Sequence, residues 1–476
     1  MKIAINHIIE RIKENPSIEE ISDKLFQLGH EHEIQDNIIN FEFTPNRGDC
    51  LSIKGITRDL GIFYTIKDDL EIYKDKIAPF SIDFENLSQE ACPKISFLKL
   101  EVDDLPKKYT GMLKNYFDDL KIKRNNFFTD ISNYLSYETG QPTHCYDAKK
   151  INKKITLKNI ETESEFETLV NKKIFLSGKD TVFIHDNEII NLAGIMGGIN
   201  TACSANTKTV LVECAYFNPE AIIGKSVKYD IQSEAAYKFE RGVDPECHED
   251  VLRRFIKIVS EHTDVKNISF EDNIYKNIPK KNRIVIDFNI INKIIGINIS
   301  EDEYLKYLTR LGFTINENFV DIPLYRSDIK TQNDLAEEVA RIIGYDNIPV
   351  SEIKIPKLSS TSNNIKESKM RSFLLDQGFY EVINSPFVKQ SSVNSIKVDN
   401  PLDSNRQYLR INITDSLVEN LLFNERRQKD SIKLFEISDI YTSNNGIKKD
   451  RKIALIGSGR VGLNHKEFSM KINKKY

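Results

Sequence analysis

The chain has 476 residues, 40% of them hydrophobic and 29% charged, enough apolar material for several packed cores, so wholesale disorder is excluded. At ~100–200 residues per domain this allows about three or four domains. The formal net charge of −4 excludes a surface that is basic throughout, so any RNA contact must come from local patches or from a partner. Six cysteines, Cys50, Cys92, Cys145, Cys203, Cys214 and Cys247, show no C-x-x-C pair or zinc spacing, and read as reduced thiols of a cytosolic protein. The opening MKIAINHIIERIKENP has no continuous apolar stretch, and no run reaches the ~18 apolar residues of a membrane span. A soluble, cytoplasmic protein with no membrane partner is expected.

In chain order, SIEEISDKLFQLG (17–29) predicts a helix with a capping box at Ser17 and Glu20, an apolar face of Ile18, Ile21, Leu25 and Leu28, and a stop at Gly29. IINFEF then alternates as a strand into the turn TPNRGD, and a second helix is expected after Asp49. Residues 91–275 hold many short β-type runs, with a hairpin turn at Asp186-Asn187 and helices around 124–138 and 246–262, which together read as one α+β domain. KNIPKKNR (276–283) is polar and basic and reads as a linker. A smaller unit follows. It has the strand RIVIDF, helices near 288–295 and 300–311 with a capping box at Ser300 and Glu303, a strand pair and the helix DLAEEVARII. A second linker is expected at 351–364, followed by a helix, a strand near 380–384, a polar helix around 414–428 and the strands KLFEISDIY and KIALIGS.

Familiar catalytic motifs are absent. GKS at 224–226 is not a phosphate-binding loop, because Pro219 stands where its first glycine is needed. There is no G-x-S-x-G elbow and no H-E-x-x-H helix. In GQPTHCYD (140–147) a lone His144 reads as a structural loop histidine. The glycines of NLAGIMGG (191–198) permit a close approach of the backbone to another group or a turn. Glu213, within the apolar run VLVECAYFNP, either faces solvent or needs a partner in a polar cleft, and the run alone does not choose between them. In YRSDIKTQNDLAEEVARIIGYDNIP (325–349), Asp334, Glu337 and Glu338 share one helix face opposite Leu335, Val339 and Ile342, with Asp328 just upstream. Four such acids suit a hard cation. On spacing alone, acids favoured by the helix dipole, with Thr331 as cap, outweigh a metal.

Taken together, these segments resemble bacterial-type phenylalanine–tRNA ligase β subunits. FTPNRGDCLSIKGITRDLG (43–61), ISNYLSYETGQPTHCYD (131–147), NLAGIMGG, VLVECAYFNP, SEAAYKFERGVDPE (233–246) and 325–349 occur in the family's order, and the resemblance runs from residue 1 to near 440. It implies an α+β multidomain fold: an N-terminal α+β domain at 1–90, a tRNA-editing domain at 91–275, a small winged-helix-like domain with Mg²⁺-binding acids at 283–350, and an inactive, incomplete class II synthetase-like antiparallel-sheet domain at 355–476. The editing pocket would fall on Ser132, Asn133, His144, Ala193, Gly194, Glu213, Ser233 and Ala235. His144 and Glu213 would recognise the hydroxyl of a misattached tyrosine, and Ala193, Gly194 and Ala235 would form the floor. SEAA at 233–236 departs from the family's Thr-Asp-Ala-Ser.

By the same resemblance, Asp328, Asp334, Glu337 and Glu338 would hold one Mg²⁺ per chain, near the contact with a catalytic α subunit. The α subunit would bind ATP and phenylalanine and complete an α2β2 heterotetramer acting on tRNA(Phe). No covalent intermediate is expected, because no Ser–His–Asp arrangement is visible. Two family modules are expected to be absent. GHEHEIQDNIINFEFTPNRGD passes straight through the place of an inserted OB-type tRNA-binding domain, and the sequence stops at KINKKY before an anticodon-binding domain. The alternatives are a free-standing editing hydrolase and a non-catalytic scaffold for α.

Overall fold

The structure is a computed structural model that describes residues 1–67, 70–275, 278–350, 362–389, 393–443, 446–462, 466–467 and 469–473. The chain is a mixed α/β protein divided by contact into two units, Met1–Ser351 and Glu352–Tyr476. Most of the linker expected at 351–364 lies outside the described residues, and the helix Ser362–Asp376 begins within its last three positions. Residues 276–277 of the earlier linker also lie outside them, and its last residue, Arg283, already opens a strand. No described helix is long and apolar enough to cross a membrane.

The first unit opens with a three-stranded antiparallel sheet of Lys2–Ala4, Ile38–Phe41 and His32–Gln35. Both arms of the Ser17–Glu20 capping box form on the helix Ile18–Gln27, and Ile21, Leu25 and Leu28 are buried. TPNRGD closes on itself: the Arg47 guanidinium donates to both carboxylate oxygens of Asp49 at 2.9 and 3.0 Å. Ser52 then caps the helix Ile53–Leu60.

Two five-stranded sheets build the centre. One runs Ala78–Pro79, Val265–Ile274, Lys94–Val102, Thr209–Tyr216, Thr143–Asp147; its pairs are antiparallel except that Ala78–Pro79 runs parallel to its neighbour. The other runs Met196–Gly197, Glu188–Leu192, Thr181–His185, Ile155–Asn159, Phe84–Asn86. The expected hairpin turns on Asp186 and Asn187, both at positive φ (52° and 64°), the backbone of a two-residue turn that suits the strand twist.

The strand Thr209–Tyr216 is apolar on both faces because both are covered. Val210, Val212 and Cys214 join one core with Ile131 and Leu135 of the helix Phe127–Thr139 and Phe255 of the helix His248–Ser260. Leu211 and Ala215 join a second core, with Leu157, Val182 and Leu192 of the other sheet. By alternation, Glu213 falls on this second face.

The first core does not stop at the boundaries expected after residues 90 and 275. It runs from Ile3 and Leu25 through the central sheet to Leu335 and Val339 of the helix Gln332–Ile343. That helix closes a group with the helices Phe288–Ile295 and Glu301–Arg310 and a three-stranded antiparallel sheet of Arg283–Val285, Phe319–Asp321 and Thr314–Asn316. At Ser300 the capping box is half made. Its hydroxyl accepts from the Glu303 amide at 3.3 Å, but Glu303 accepts from that hydroxyl at 2.9 Å instead of from the Ser300 backbone.

In the second unit the strands Ser431–Ser443 and Ile447–Gly459 pair antiparallel. Tyr380–Glu381 pairs with the first of them in parallel, so the sheet is not purely antiparallel as expected. The helix Thr414–Glu425 brings Leu417 to a small core with Ile413, Ile432 and Leu434.

Candidate functional site

Glu213 and His144 are directly opposite on neighbouring strands. They line a cleft between the two central sheets with Thr143, Asn191, Gly194, Gly197, Phe217 and Ala235. The cleft is small, about 60 Å³. Glu213 is 4% exposed with no cation beside it, and burial pushes its carboxyl up to about 7 against the pull of one hydrogen bond. The donor is Tyr146, whose hydroxyl reaches Oε2 at 2.7 Å. Asn191 Nδ2 in turn donates to the Tyr146 oxygen at 2.9 Å. His144 stands edge-on to the Tyr146 ring, centroids 4.4 Å apart and planes at 78°. Burial lowers its imidazole to about 4, so the ring is neutral at pH 7, and its buried Nε2 has no hydrogen-bond partner.

The glycines fit this packing. A Cβ on Gly197 would collide with the His144 ring. Gly194 has φ +70°, and a Cβ there would lie 2.7 Å from Ile222 Cδ1 and 2.9 Å from Phe217 Cδ2.

The expected pocket residues divide. His144, Gly194, Glu213 and Ala235 line the cleft. Ser132 and Ser233 stand behind it. The Ser132 hydroxyl donates to the Thr143 carbonyl at 2.6 Å, and that of Ser233 to the Ile195 carbonyl at 2.6 Å while also capping the helix Glu234–Phe239. With Ser132 so engaged, its hydroxyl is not paired with His144. Ala193 is buried in the core, its amide bonded to the Thr181 carbonyl, and Asn133 is exposed on its helix, so neither lines the cleft. Glu234, the main departure of SEAA, is exposed and faces a different cavity of about 1090 Å³. Sequence reasoning missed Tyr146 and Asn191. Tyr146 lies two residues beyond His144 on one strand and so shares its face. Asn191 carries no comparable signal, because its contact crosses between sheets.

The four acids expected to hold a metal are not gathered into one ligand set. Arg326 donates to both oxygens of Asp328 (2.9 and 2.8 Å) and both of Glu338 (2.8 and 2.7 Å). Arg341 adds a second bidentate pair to Glu338 at 3.0 and 2.6 Å and reaches Asp59 at 3.0 Å. Asp334 accepts from the Lys330 and Thr331 amides at 2.8 Å each, as a helix cap, and Glu337 is exposed. Burial alone would raise the Glu338 pKa; Arg341 and Arg326 overcome that and hold it at about 2. The cation these carboxylates meet is guanidinium, and as arranged they do not fit Mg²⁺. Among the described residues, the one grouping of ligand type is His30, Cys50 and Asp59, where Arg47 and Arg341 already bond Asp59.

Residues 103–264 match the B3/4 domain, 284–345 the tRNA synthetase B5 domain, and 348–471 the CLM domain of the phenylalanyl tRNA synthetase beta chain. The phenylalanine–tRNA ligase beta subunit of Pseudoalteromonas translucida is 28% identical over 458 residues, covering 91% of this chain and 57% of that protein. Those of Ehrlichia ruminantium (strain Gardel) and Fusobacterium nucleatum are each 30% identical, covering 92% and 90% of this chain and 57% of their own length. A solved N-terminal fragment of the phenylalanyl-tRNA synthetase beta-subunit from Pyrococcus horikoshii overlaps 72% of this chain and 99% of its own at 13% identity and a TM-score of 0.39, too loose an overlap to carry weight. The chain thus spans a little over half the length of the curated relatives it matches, and it belongs to the family of phenylalanine–tRNA ligase β subunits.

Proposed function

We propose that this chain is the β subunit of a phenylalanine–tRNA ligase. An α subunit would attach phenylalanine to tRNA(Phe) using ATP, and the 91–275 region would hydrolyse tyrosyl-tRNA(Phe) made in error. The observation that carries the editing reading is the pairing of Glu213 and His144 across adjacent strands, both desolvated, in a cleft otherwise walled mostly by glycines and apolar side chains, with Thr143 and Asn191.

The chemistry follows from a difference of one hydroxyl. An apolar synthetic pocket rejects an isostere with an added hydroxyl by only about 10²-fold. A second cleft with a buried acceptor inverts the choice. The tyrosine hydroxyl satisfies the Glu213 oxygen that Tyr146 does not hold, whereas phenylalanine leaves that oxygen unbonded at a cost of about 1–3 kcal/mol. Water then attacks the ester carbonyl, the bond to the terminal ribose oxygen breaks, and tyrosine and tRNA are released without a covalent enzyme intermediate. His144, neutral at pH 7, lines the cleft opposite Glu213 with its Nε2 unpartnered but sealed against Gly197, so bonding the ligand hydroxyl would require the ring to turn.

The modular reading of the rest (91–275, a winged-helix-like 283–350 and a class II synthetase-like 355–476, after 1–90) draws support from the matched ranges 103–264, 284–345 and 348–471 and from the three-helix, three-strand group at 283–343. The same reading implies an α2β2 assembly in the cytoplasm. Mg²⁺ at the acids of 328–338 would first require Arg326 to release Asp328 and Glu338. The scaffold alternative draws on the narrowness of the cleft, well below the ~300 Å³ at which ligand pockets begin.

Two measurements test this. Co-expression with the α subunit from the same source should give a complex of heterotetramer mass by light scattering; a β chain that never joins α would leave a free-standing hydrolase. Purified protein should release tyrosine from tyrosyl-tRNA(Phe) and spare phenylalanyl-tRNA(Phe). Assembly without hydrolysis would establish the scaffold reading.

A further inference from the structure

We propose that Tyr146 is the positioning residue of the cleft, holding one oxygen of Glu213 so that the other is presented to the hydroxyl of the ligand. The inference rests on the editing reading above and adds the side chain that aims the acceptor.

Tyr146 touches both polar groups of the cleft: its hydroxyl bonds Glu213 Oε2 at 2.7 Å and its ring meets His144 edge-on. It is fully buried, so the ring has one place to be. Its oxygen accepts from Asn191 Nδ2 at 2.9 Å, which leaves the phenolic proton free to point at Glu213. The direction of the chain is therefore fixed: Asn191 donates to Tyr146, and Tyr146 donates to Glu213. Among the described residues nothing donates to Glu213 Oε1, and that oxygen is not one of the sealed, unpartnered atoms, so it is the one that opens to the cleft. The register explains the reach. Tyr146 pairs with Leu211 and His144 with Glu213, so Tyr146 and Glu213 are diagonal neighbours on one face, within range of a long aromatic side chain. A carboxyl in a dry cleft with one anchored oxygen is pre-aimed. With neither oxygen anchored it rotates and meets the ligand in a mixture of orientations.

The test is the ratio of kcat/KM for hydrolysis of tyrosyl-tRNA(Phe) to that of phenylalanyl-tRNA(Phe), measured on the full chain. Tyr146→Phe keeps the ring and removes the hydroxyl, and should lower the ratio about tenfold through slower tyrosyl hydrolysis. Phenylalanyl hydrolysis should hardly move, while the melting midpoint should fall because Asn191 Nδ2 and Glu213 Oε2 both lose their partner. Asn191→Leu, which frees the phenol proton to turn away, should lower the ratio by a smaller factor. A merely structural role would slow both esters together. An unchanged ratio in Tyr146→Phe, with Glu213→Ala abolishing it, would overturn the positioning role and leave the editing site intact. A rise in the ratio would overturn it too, making Tyr146 a competitor for the acceptor. A ratio untouched even by Glu213→Ala would overturn Glu213 as the discriminating acceptor, and the proposal with it, whereas hydrolysis of neither ester by the wild-type chain would overturn the editing reading itself.

Discussion

Glu213 and Glu338 are buried to the same degree, each 4% exposed, in the same compact unit, yet they titrate at opposite ends of the carboxylate range. Desolvation carries Glu213 up to about 7, whereas two guanidiniums hold Glu338 at about 2. Burial alone thus does not mark a functional acid; what faces it does. Glu338 is locked as an anion between Arg326 and Arg341, with no oxygen free for a ligand. Glu213 has one phenolic donor and an open oxygen, so it can respond to what enters the cleft.

The sharpest way to break the comparison is to remove the guanidinium. Arg326→Ala leaves the half-buried Asp328 without its guanidinium and the buried Glu338 with Arg341 alone, and should cost about 3 kcal/mol of the stability of the 1–351 unit, read by urea unfolding at pH 7. A loss below about 1 kcal/mol would mean that Arg341 alone suffices for Glu338 and that Asp328 needs no guanidinium. Mn²⁺ titration of the variant, followed by electron spin resonance, would then show whether a divalent ion takes the vacated place.

Titration sharpens the contrast next. The Glu213 carboxyl is raised from 4.5 to about 7, so between those values the folded chain keeps a proton that the unfolded chain has lost. Its contribution is therefore fully present below pH 4.5 and disappears as pH rises through 7, by about 3 kcal/mol. Glu338 has the opposite sign: its contribution is present above pH 4.5 and is lost as pH falls toward 2. Glu213→Gln should remove the first dependence and keep the second. If wild type and Glu213→Gln differ by the same stability at pH 4.5 and pH 8, Glu213 titrates normally and the contrast collapses.

How much of this was legible beforehand follows from range. Helix caps and turns are local: Ser17, Glu20, Gly29 and the Asp186-Asn187 turn are written within a few residues of the structure they cause. Strand alternation placed Glu213 within an apolar run but not on a face, because both faces of that strand are covered. Resemblance supplied His144 and Glu213 as partners, and the register brings them together. It supplied Asn133 and Ala193 equally, and neither reaches the cleft. The four acids at 328–338 read as a set because the segment puts them close. Their fate was decided by Arg326 and Arg341, whose side-chain directions depend on packing against Asp59 and the rest of the unit. The link through Tyr146 needed two sheets to be stacked, which no single segment encodes.

Gly194 tests the cleft side at smaller cost. Gly194→Ala places a Cβ within 3 Å of Ile222 and Phe217 on a backbone of φ +70°, and should cost about 1–2 kcal/mol. Because Gly194 lines the cleft, hydrolysis of tyrosyl-tRNA(Phe) should fall more than stability does. Equal loss at Glu213 and Gly194 variants in activity, but loss of stability only at Gly194, would separate the chemistry of the cleft from its shape.

The smallest effect is expected at Ser233, and it decides between two roles. Resemblance gives it a place in the pocket, whereas the structure gives its hydroxyl two backbone partners, the Ala236 amide at 3.1 Å and the Ile195 carbonyl at 2.6 Å. Its side chain is thus committed to capping a six-residue helix and anchoring a loop that walls the cleft. Ser233→Ala should cost about 1 kcal/mol, as for other lost caps, and Ser233→Thr should restore it. The tyrosyl-to-phenylalanyl ratio should stay within about twofold of wild type in both, because neither change reaches Glu213. A selective loss of tyrosyl hydrolysis in Ser233→Ala, with stability held, would instead place the hydroxyl against the ligand. The cap would then have to break when the substrate binds, and the acid that discriminates would have a second polar neighbour where the contrast with Glu338 allows one.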